Sequence, residues 1–213
     1  MDDPERALIL SYAPAAAREG LAALLALDDR LGGFVRAARE PMLGQMRLTW
    51  WFEALEALDT RPPPAEPLLQ ALAGTVLPRG VTGAALAAMV DAWERLLTGP
   101  LAEDDLAAFG RERGGRLFAA AARVLGDADP RVERLGEGWA LADLGRRWSD
   151  AGTAAQAQQA GRQQLAGMFA QLWPPPLRPL GALALLARAD LDGVASGSPR
   201  RVGRLLLHRL TGR

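Results

Sequence analysis

Hydrophobic residues recur every three or four positions along most of the chain, and glycine or proline lies between the periodic segments. This spacing is that of one face of an α-helix, so the pattern predicts an all-α protein without a β-sheet. Several segments begin at a proline, whose missing N–H costs no hydrogen bond in the first turn of a helix. The predicted helices span residues 14–34, 41–58, 67–77, 82–97, 103–125, 130–149, 153–173, 177–191 and 199–210.

Length and composition predict one domain over residues 1–213, because a chain of this length can bury a single large core and no flexible linker interrupts it. The formal net charge is zero, with 25 basic and 25 acidic residues, which disfavours a nucleic-acid partner. All the basic residues are Arg, a bias that we attribute to a GC-rich genome. The lack of Cys and the single His208 exclude disulfides and metal sites built from Cys or clustered His.

The N-terminal residues 1–6 are largely acidic and lack the order of a signal peptide, in which basic residues precede an apolar run. Apolar runs such as 21–27 and 181–187 are far shorter than the roughly 18 residues that suggest a membrane span. We therefore expect a cytoplasmic protein that is either soluble or peripheral to the inner membrane.

The C-terminal segment 199–213 combines five Arg residues with no acidic residue. Its apolar residues form one stripe at helical spacing, which makes the segment a basic amphipathic helix. The stripe comprises Val202, Leu205, Leu206 and Leu210, and the basic residues are Arg200, Arg201, Arg204, Arg209 and Arg213. The pattern fits contact with an anionic membrane surface, and it also fits packing as the last helix of the domain.

The most distinctive segment, residues 40–58, reads Glu-Pro-Met-Leu-Gly-Gln-Met-Arg-Leu-Thr-Trp-Trp-Phe-Glu-Ala-Leu-Glu-Ala-Leu. It resembles the Arg-Leu-x-Trp-Trp helix of the squalene and phytoene synthase family. The resemblance extends to residues 24–30, to the surroundings of Asp91, to the Gly161-Arg162 pair and to the closing segment 204–213. It implies an isoprenoid synthase fold, a single-domain helical bundle around a central cavity.

Active members of this family hold magnesium against a substrate diphosphate with two Asp-rich motifs, and the first motif departs from that pattern here. Counted from the first core helix, the family's Asp positions fall on Gly32, Gly33 and Arg36. The Asp28-Asp29 pair lies one turn too early. Since magnesium sites of this kind need carboxylates beside the substrate phosphates, the resemblance implies that no magnesium cofactor is bound.

The second motif also departs from the family pattern. Residues 141–150 resemble it, with Asp143 and Arg146 at matching positions, but Arg147 stands where an acidic residue is expected, and a guanidinium repels a metal ion. Asp143, Arg147 and Asp150 are spaced to share one helix face, so a ladder of ion pairs is the structural interpretation. Downstream, Arg162 is followed by Gln-Gln-Leu-Ala instead of the aromatic-Leu-Pro ending of active enzymes.

The adjacent Trp50 and Trp51 project about 100° apart on a helix, so one of them faces the core and the other a neighbouring helix or a cavity. Core packing and the lining of an apolar ligand pocket both fit this geometry. Arg47 lies one turn before both rings and faces either solvent or an anion site.

These departures predict a catalytically degenerate family member that acts in binding or assembly, with a protein partner. Residues 40–51 are especially similar to the branch that includes an assembly factor for respiratory complex I. Two alternatives are a head-to-head prenyl transferase that uses magnesium, and a carrier of an apolar lipid or isoprenoid ligand. Carboxylates that converge across the cavity favour the enzyme, a filled cavity favours assembly, and an open apolar cavity favours the carrier. The candidate cavity residues are Asp28, Asp29, Arg47, Trp50, Trp51, Asp143, Arg146, Arg147, Asp150 and Arg162.

Overall fold

Helices and the turns between them make up the structure, a computed structural model that describes residues 4–38, 40–97 and 101–213. Within these ranges no residue is in a β-strand, which confirms the all-α prediction. The α-helices are α1 Pro4–Leu10, α2 Ala15–Ala37, α3 Pro41–Ala57, α4 Pro67–Thr75, α5 Gly83–Ala87, α6 Val90–Arg95, α7 Glu103–Phe109, α8 Arg116–Leu125, α9 Val132–Arg147, α10 Ala151–Leu165, α11 Arg178–Leu191 and α12 Pro199–Thr211.

Side-chain caps fix several helix starts. The carboxylate of Glu66 accepts a hydrogen bond from the backbone N–H of Leu69 at the start of α4, and the hydroxyl of Thr82 does the same at the start of α5. These bonds satisfy N–H groups that have no partner inside the helix. At the other end of a helix, Gly126 stops α8 with a φ of 80°, a conformation that favours glycine.

Several predicted helices differ from the observed ones. Residues 82–97 form two short helices, α5 and α6, and α1 was not predicted at all. The predicted helix 153–173 ends at Leu165, because Gly167 adopts a φ of 74° and turns the chain. Residues 103–125 are helical throughout but contain one π-helical stretch, Gly110–Gly115, between α7 and α8.

This π segment lies directly against α9. A Cβ atom on Gly114 would collide with the carbonyl oxygen of Gly136, and a Cβ on Gly136 would collide with that of Gly114. Only glycine at both positions lets the two backbones touch. The π segment is wider than an α-helical turn. Together with the close approach of the two backbones, it positions the side chain of Arg113 between Asp28 on α2 and Asp143 on α9.

The C-terminal helix α12 packs against the domain with one face and leaves part of its apolar stripe exposed. Arg201, Leu205 and His208 are buried, whereas Leu206 and Leu210 are exposed. The apolar stripe of Val202, Leu205, Leu206 and Leu210 is therefore divided, with Leu205 in the interior and Leu206 and Leu210 on the surface. The reason is tertiary: Arg201 forms ion pairs with acidic groups of other helices and draws its own side of α12 inward.

Among the described residues, no single helix is both long and apolar enough to cross a membrane. One pair of helical stretches, Pro67–Arg79 and Gly83–Arg95, passes that test together by length and composition, with a bend of 119° between them.

The tryptophan pair of α3 divides between core and surface. The side chain of Trp51 is 3% exposed, and its ring lies 6.1 Å from that of Phe34 on α2. Trp50 is 46% exposed and meets Trp51 edge-on at 5.7 Å. Trp51 is thus a core residue and Trp50 a surface residue.

The two adjacent rings provide a matched test of the fold. We expect Trp51→Ala to lower the free energy of unfolding by about 3–5 kcal/mol, since it empties a large buried volume. Trp50→Ala, the control, removes only a half-exposed ring and one edge contact, so the expected loss is about 1 kcal/mol. Chemical denaturation of both variants measures the difference, and an unchanged midpoint for Trp51→Ala would contradict the burial of this ring.

Candidate functional site

Arg113 lies in the interior, on the π segment that packs against α9, and its side chain is 4% exposed. Its Nε and Nη2 atoms donate to Oδ1 and Oδ2 of Asp28 on α2, both at 2.8 Å. The same Nη2 atom lies 2.9 Å from Oδ2 of Asp143 on α9. A single guanidinium therefore joins the carboxylates of two helices, and its pair with Asp28 has the bidentate geometry that arginine favours.

Aromatic rings enclose this guanidinium. Its central carbon lies 4.4 Å from the ring centroid of Trp93 on α6 and 4.7 Å from that of Trp139 on α9. The ring centroid of Phe109, at the end of α7, lies 5.6 Å from the same carbon. Arginine tolerates such surroundings because its delocalised charge is weakly hydrated and stacks on aromatic faces.

The glycine at position 32 makes room for one of these rings. A Cβ on Gly32 would lie 2.6 Å from the outer edge of the Trp93 ring. The predicted register placed missing carboxylates at Gly32, Gly33 and Arg36. From α2 it is Asp28, one turn earlier, that reaches towards Asp143, and the Trp93 ring fills the space beside Gly32.

Electrostatics favour the charged forms of Arg113 and Asp143. Burial by itself would lower the pKa of Arg113, but the carboxylates of Asp28 and Asp143 outweigh burial and raise the pKa. Burial would raise the pKa of Asp143, yet Arg113 and Arg147 overcome it and hold the pKa at about 2. Arg113 and Asp143 are therefore an ion pair at neutral pH.

A cavity of about 200 Å³ lies beside the cluster. Ligand sites for small organic molecules are typically 300–1,000 Å³ and mostly apolar. This cavity is smaller, and its charged lining contains equal numbers of acidic and basic side chains. They are Glu5, Arg6, Asp28, Asp29, Arg113, Asp143, Arg146, Arg147, Asp190 and Arg201.

The N-terminal helix α1 and the C-terminal helix α12 meet at this cavity. Glu5 of α1 is buried and accepts hydrogen bonds from Ser196 Oγ at 3.1 Å and from the backbone N–H of Gly197 at 3.0 Å. Arg201 of α12 pairs with Glu5 through Nε at 2.9 Å and with Asp190 of α11 through Nη1. These contacts tie both ends of the described chain to the cavity wall.

Half of the residues predicted for the cavity line it. They are Asp28, Asp29, Asp143, Arg146 and Arg147. The predicted ion pair between Arg147 and Asp143 is present, with Nε 2.6 Å from Oδ1. Its extension to Asp150 is wrong, because α9 ends at Arg147 and the Asp150 carboxylate caps α10 by accepting from the N–H of Thr153.

The other predicted residues lie outside the cavity. They are Arg47, Trp50, Trp51, Asp150 and Arg162. Arg162 donates to the carbonyl oxygen of Leu191 at 2.8 Å, and the Arg47 guanidinium lies 6.0 Å from the Phe34 ring. The two Trp side chains belong to the core and to the outer surface of α3, so they do not line the central cavity.

Sequence reasoning missed Arg113, Glu5, Asp190 and Arg201. One signal was present for Arg113: the run Gly110-Arg-Glu-Arg-Gly-Gly115 places three glycines and three charges inside an otherwise helical segment. Glycine costs about 1 kcal/mol relative to alanine inside a helix, so such a run often has a packing or functional reason.

The residues around Arg113 do not fit a magnesium ion. Both converging carboxylates are already bonded to a fixed positive charge that repels a cation. Over the described ranges, no group of three or more His, Cys, Asp or Glu side chains is arranged to hold a metal. The two carboxylates and Arg113 form an internal salt bridge, in which the guanidinium occupies the place between the carboxylates.

Comparison with known proteins identifies the family. The squalene/phytoene synthase family model matches residues 2–165, so the chain belongs to this family. The structure is similar to the crystal structure of a dehydrosqualene synthase in complex with ligand, with a TM-score of 0.76 over 98% of this chain and 91% of that chain. At 14% identity the likeness establishes the fold, which confirms the predicted isoprenoid synthase bundle. No curated protein matches the sequence significantly.

Substitution of Arg113 tests how much its ion pairs with Asp28 and Asp143 stabilise the fold. We expect Arg113→Met to lower the free energy of unfolding by about 3–5 kcal/mol, because two buried carboxylates lose their counter-charge. Changing Asp28 and Asp143 to Asn in the same chain should restore most of the loss. Urea denaturation measures both effects.

The matched control is Arg111→Met, two residues away on the same π segment but exposed. It should change the free energy of unfolding by no more than about 0.5 kcal/mol. Equal losses of unfolding free energy in the two variants would show that the buried ion pairs of Arg113 do not stabilise the fold.

Proposed function

We propose that this member of the squalene/phytoene synthase family is a catalytically degenerate single domain that acts by binding, in the assembly of a protein complex. The observation that carries the proposal is Arg113 between Asp28 and Asp143. Ionising an allylic diphosphate requires that the charge of the leaving group be neutralised, which a metal cluster does as Lewis acid and clamp. In this protein the two carboxylates suited to holding such a metal cluster, Asp28 and Asp143, are already bonded to Arg113.

The cavity supports the same proposal. Its volume of about 200 Å³ and its ten charged lining residues suit neither a long prenyl chain nor an apolar lipid, which weighs against the carrier. The prenyl transferase remains a second candidate because Asp28 and Asp143 do converge from two helices. Their shared bond to Arg113 is what separates the two proposals, and it can be tested directly.

The outer face of α3 is a candidate surface for the protein partner. Four large apolar side chains are exposed there, with Met46 at 64%; they are Met42, Leu43, Met46 and Trp50. Exposed apolar patches mark interaction sites, and Met, Trp and Arg are enriched in protein interfaces. The exposed charges on the same helix and its N-cap are Glu40, Arg47, Glu53 and Glu56. This acidic excess disfavours an anionic membrane and favours a protein.

Assembly of respiratory complex I is the specific form of the proposal. Its support is that α3, which carries this apolar face, is the helix whose sequence resembles the assembly-factor branch. Binding at α3 would require neither a metal nor an open cavity, which agrees with the paired charges around Arg113.

The catalytic question has a direct test. We expect no magnesium-dependent release of pyrophosphate from farnesyl or geranylgeranyl diphosphate, with a dehydrosqualene synthase as positive control. In Arg113→Ala the two facing carboxylates lose their cation and repel each other, which favours uptake of a divalent ion. Added magnesium should therefore raise the melting temperature of Arg113→Ala and leave that of the wild type and of Arg111→Ala unchanged.

Pyrophosphate release by the wild type, abolished in Asp143→Ala, would establish the prenyl transferase and refute the degenerate assignment. Stabilisation of the wild type by magnesium to the same extent as Arg113→Ala would refute the role given to Arg113.

The assembly proposal predicts a cellular effect. Deleting the gene in the source organism should lower the NADH:quinone oxidoreductase activity of isolated membranes. The wild-type gene and Gln45→Arg, an exposed change at the edge of the same helix, should restore the activity. Met46→Arg, which puts a charge at the centre of the apolar face, should not.

Normal oxidoreductase activity in the deletion strain would refute the complex I proposal. Full restoration of the oxidoreductase activity by Met46→Arg would show that the apolar face of α3 has no role in complex I assembly. Equal steady-state amounts of the two variants, measured by immunoblotting, ensure that the comparison concerns the surface and not stability.

A further inference from the structure

Contacts on one side hold α12 in place. Arg201 is paired with Glu5 and Asp190, and Leu205 is buried. The two ring nitrogens of His208 lie 3.1 Å from the carbonyl oxygens of Arg178 and Arg213. Because α12 is fixed by these contacts, its opposite face is presented in one orientation.

That opposite face is apolar along its centre. Leu206, Leu207 and Leu210 are all exposed, and Leu210 reaches 77%. Gly203 lies between them on the helix surface and adds no side chain. We call these four residues the leucine ridge. It is continuous along the outer side of α12 because its members follow one another at helical spacing.

Arginines flank the leucine ridge on both sides. Arg200 and Arg204 lie along one edge, and Arg209, whose guanidinium lies 5.1 Å from the Tyr12 ring, lies along the other. Arg213 follows the end of the helix, and all four arginines are exposed. Arg200 and Arg204 form no hydrogen bond or ion pair within the described residues. Residues 193–213 contain no acidic side chain, so every charged side chain of α12 is basic.

We propose that the outer face of α12 binds an anionic lipid bilayer, with the helix lying in the membrane plane. The leucine ridge would enter the boundary between headgroups and acyl chains, while Arg200 and Arg204 extend sideways to the lipid phosphates. The charge pattern selects this occupant, because the exclusively basic flanks of α12 complement an anionic surface, whereas the charges around the α3 face are mostly acidic. The inference does not depend on the proposed function.

Sedimentation of the full chain with lipid vesicles tests this inference. We expect binding to vesicles that contain phosphatidylglycerol, weaker binding to pure phosphatidylcholine, and loss of binding at high salt. Each basic residue near such a surface changes the partition coefficient about fivefold. Arg200→Gln with Arg204→Gln should therefore weaken binding about 30-fold. Leu206→Gln with Leu210→Gln should also weaken it, at every salt concentration.

The control pair is Arg61→Gln with Arg123→Gln, two exposed arginines on other parts of the surface. It should bind as the wild type does. Equal recovery with neutral vesicles would overturn the proposal, and so would equal weakening by the two Arg pairs, since that would reflect total charge and not α12. Full binding by the Leu206 and Leu210 variant would show that the leucine ridge does not enter the bilayer. Unchanged melting temperatures confirm that each variant is folded.

Discussion

A buried guanidinium must be neutralised where it lies, and this requirement on Arg113 orders the centre of the molecule. Removing an ion from water costs several kcal/mol, and the cost is offset only by good geometry and complete hydrogen bonding. Asp28 from α2 and Asp143 from α9 supply the opposite charge, while Trp93 from α6 covers the guanidinium. A shift of α2 or α9 along its axis would separate a buried carboxylate from Arg113.

Glycine is what allows this arrangement to be reached. Gly114 and Gly136 let the π segment touch α9, and Gly32 leaves space for the ring of Trp93. A larger residue at any of these positions would separate the helices or displace the ring, and the guanidinium would no longer reach both carboxylates. A cavity of about 200 Å³ lies beside the cluster. The fold thus satisfies two of its central acids, Asp28 and Asp143, with its own cation.

Local pattern was enough to predict the fold class, most helices, and the Asp143–Arg147 pair, because these depend on residues close in sequence. The family assignment rested on the distinctive segment around Trp51. The central cluster was beyond such reasoning, since Arg113 and Asp28 are 85 positions apart and only tertiary packing joins them. The packing of α12 depends on distant residues in the same way. Periodicity gives one apolar stripe, but the ion pairs of Arg201 with Glu5 and Asp190 decide which side of the helix is buried.

Arg201 connects the two ends of the described chain to the cavity wall and sets the orientation of α12. Its guanidinium binds Glu5 of α1 and Asp190 of α11, and both acids line the cavity. The contacts that hold α1 at the cavity are therefore the contacts that direct the leucine ridge outward. Charges inside the cavity are balanced, whereas the outer faces of α3 and α12 carry an excess of one sign. An imbalance attracts a partner of opposite charge and a balanced cluster does not, so recognition by this protein is expected on its outer surfaces.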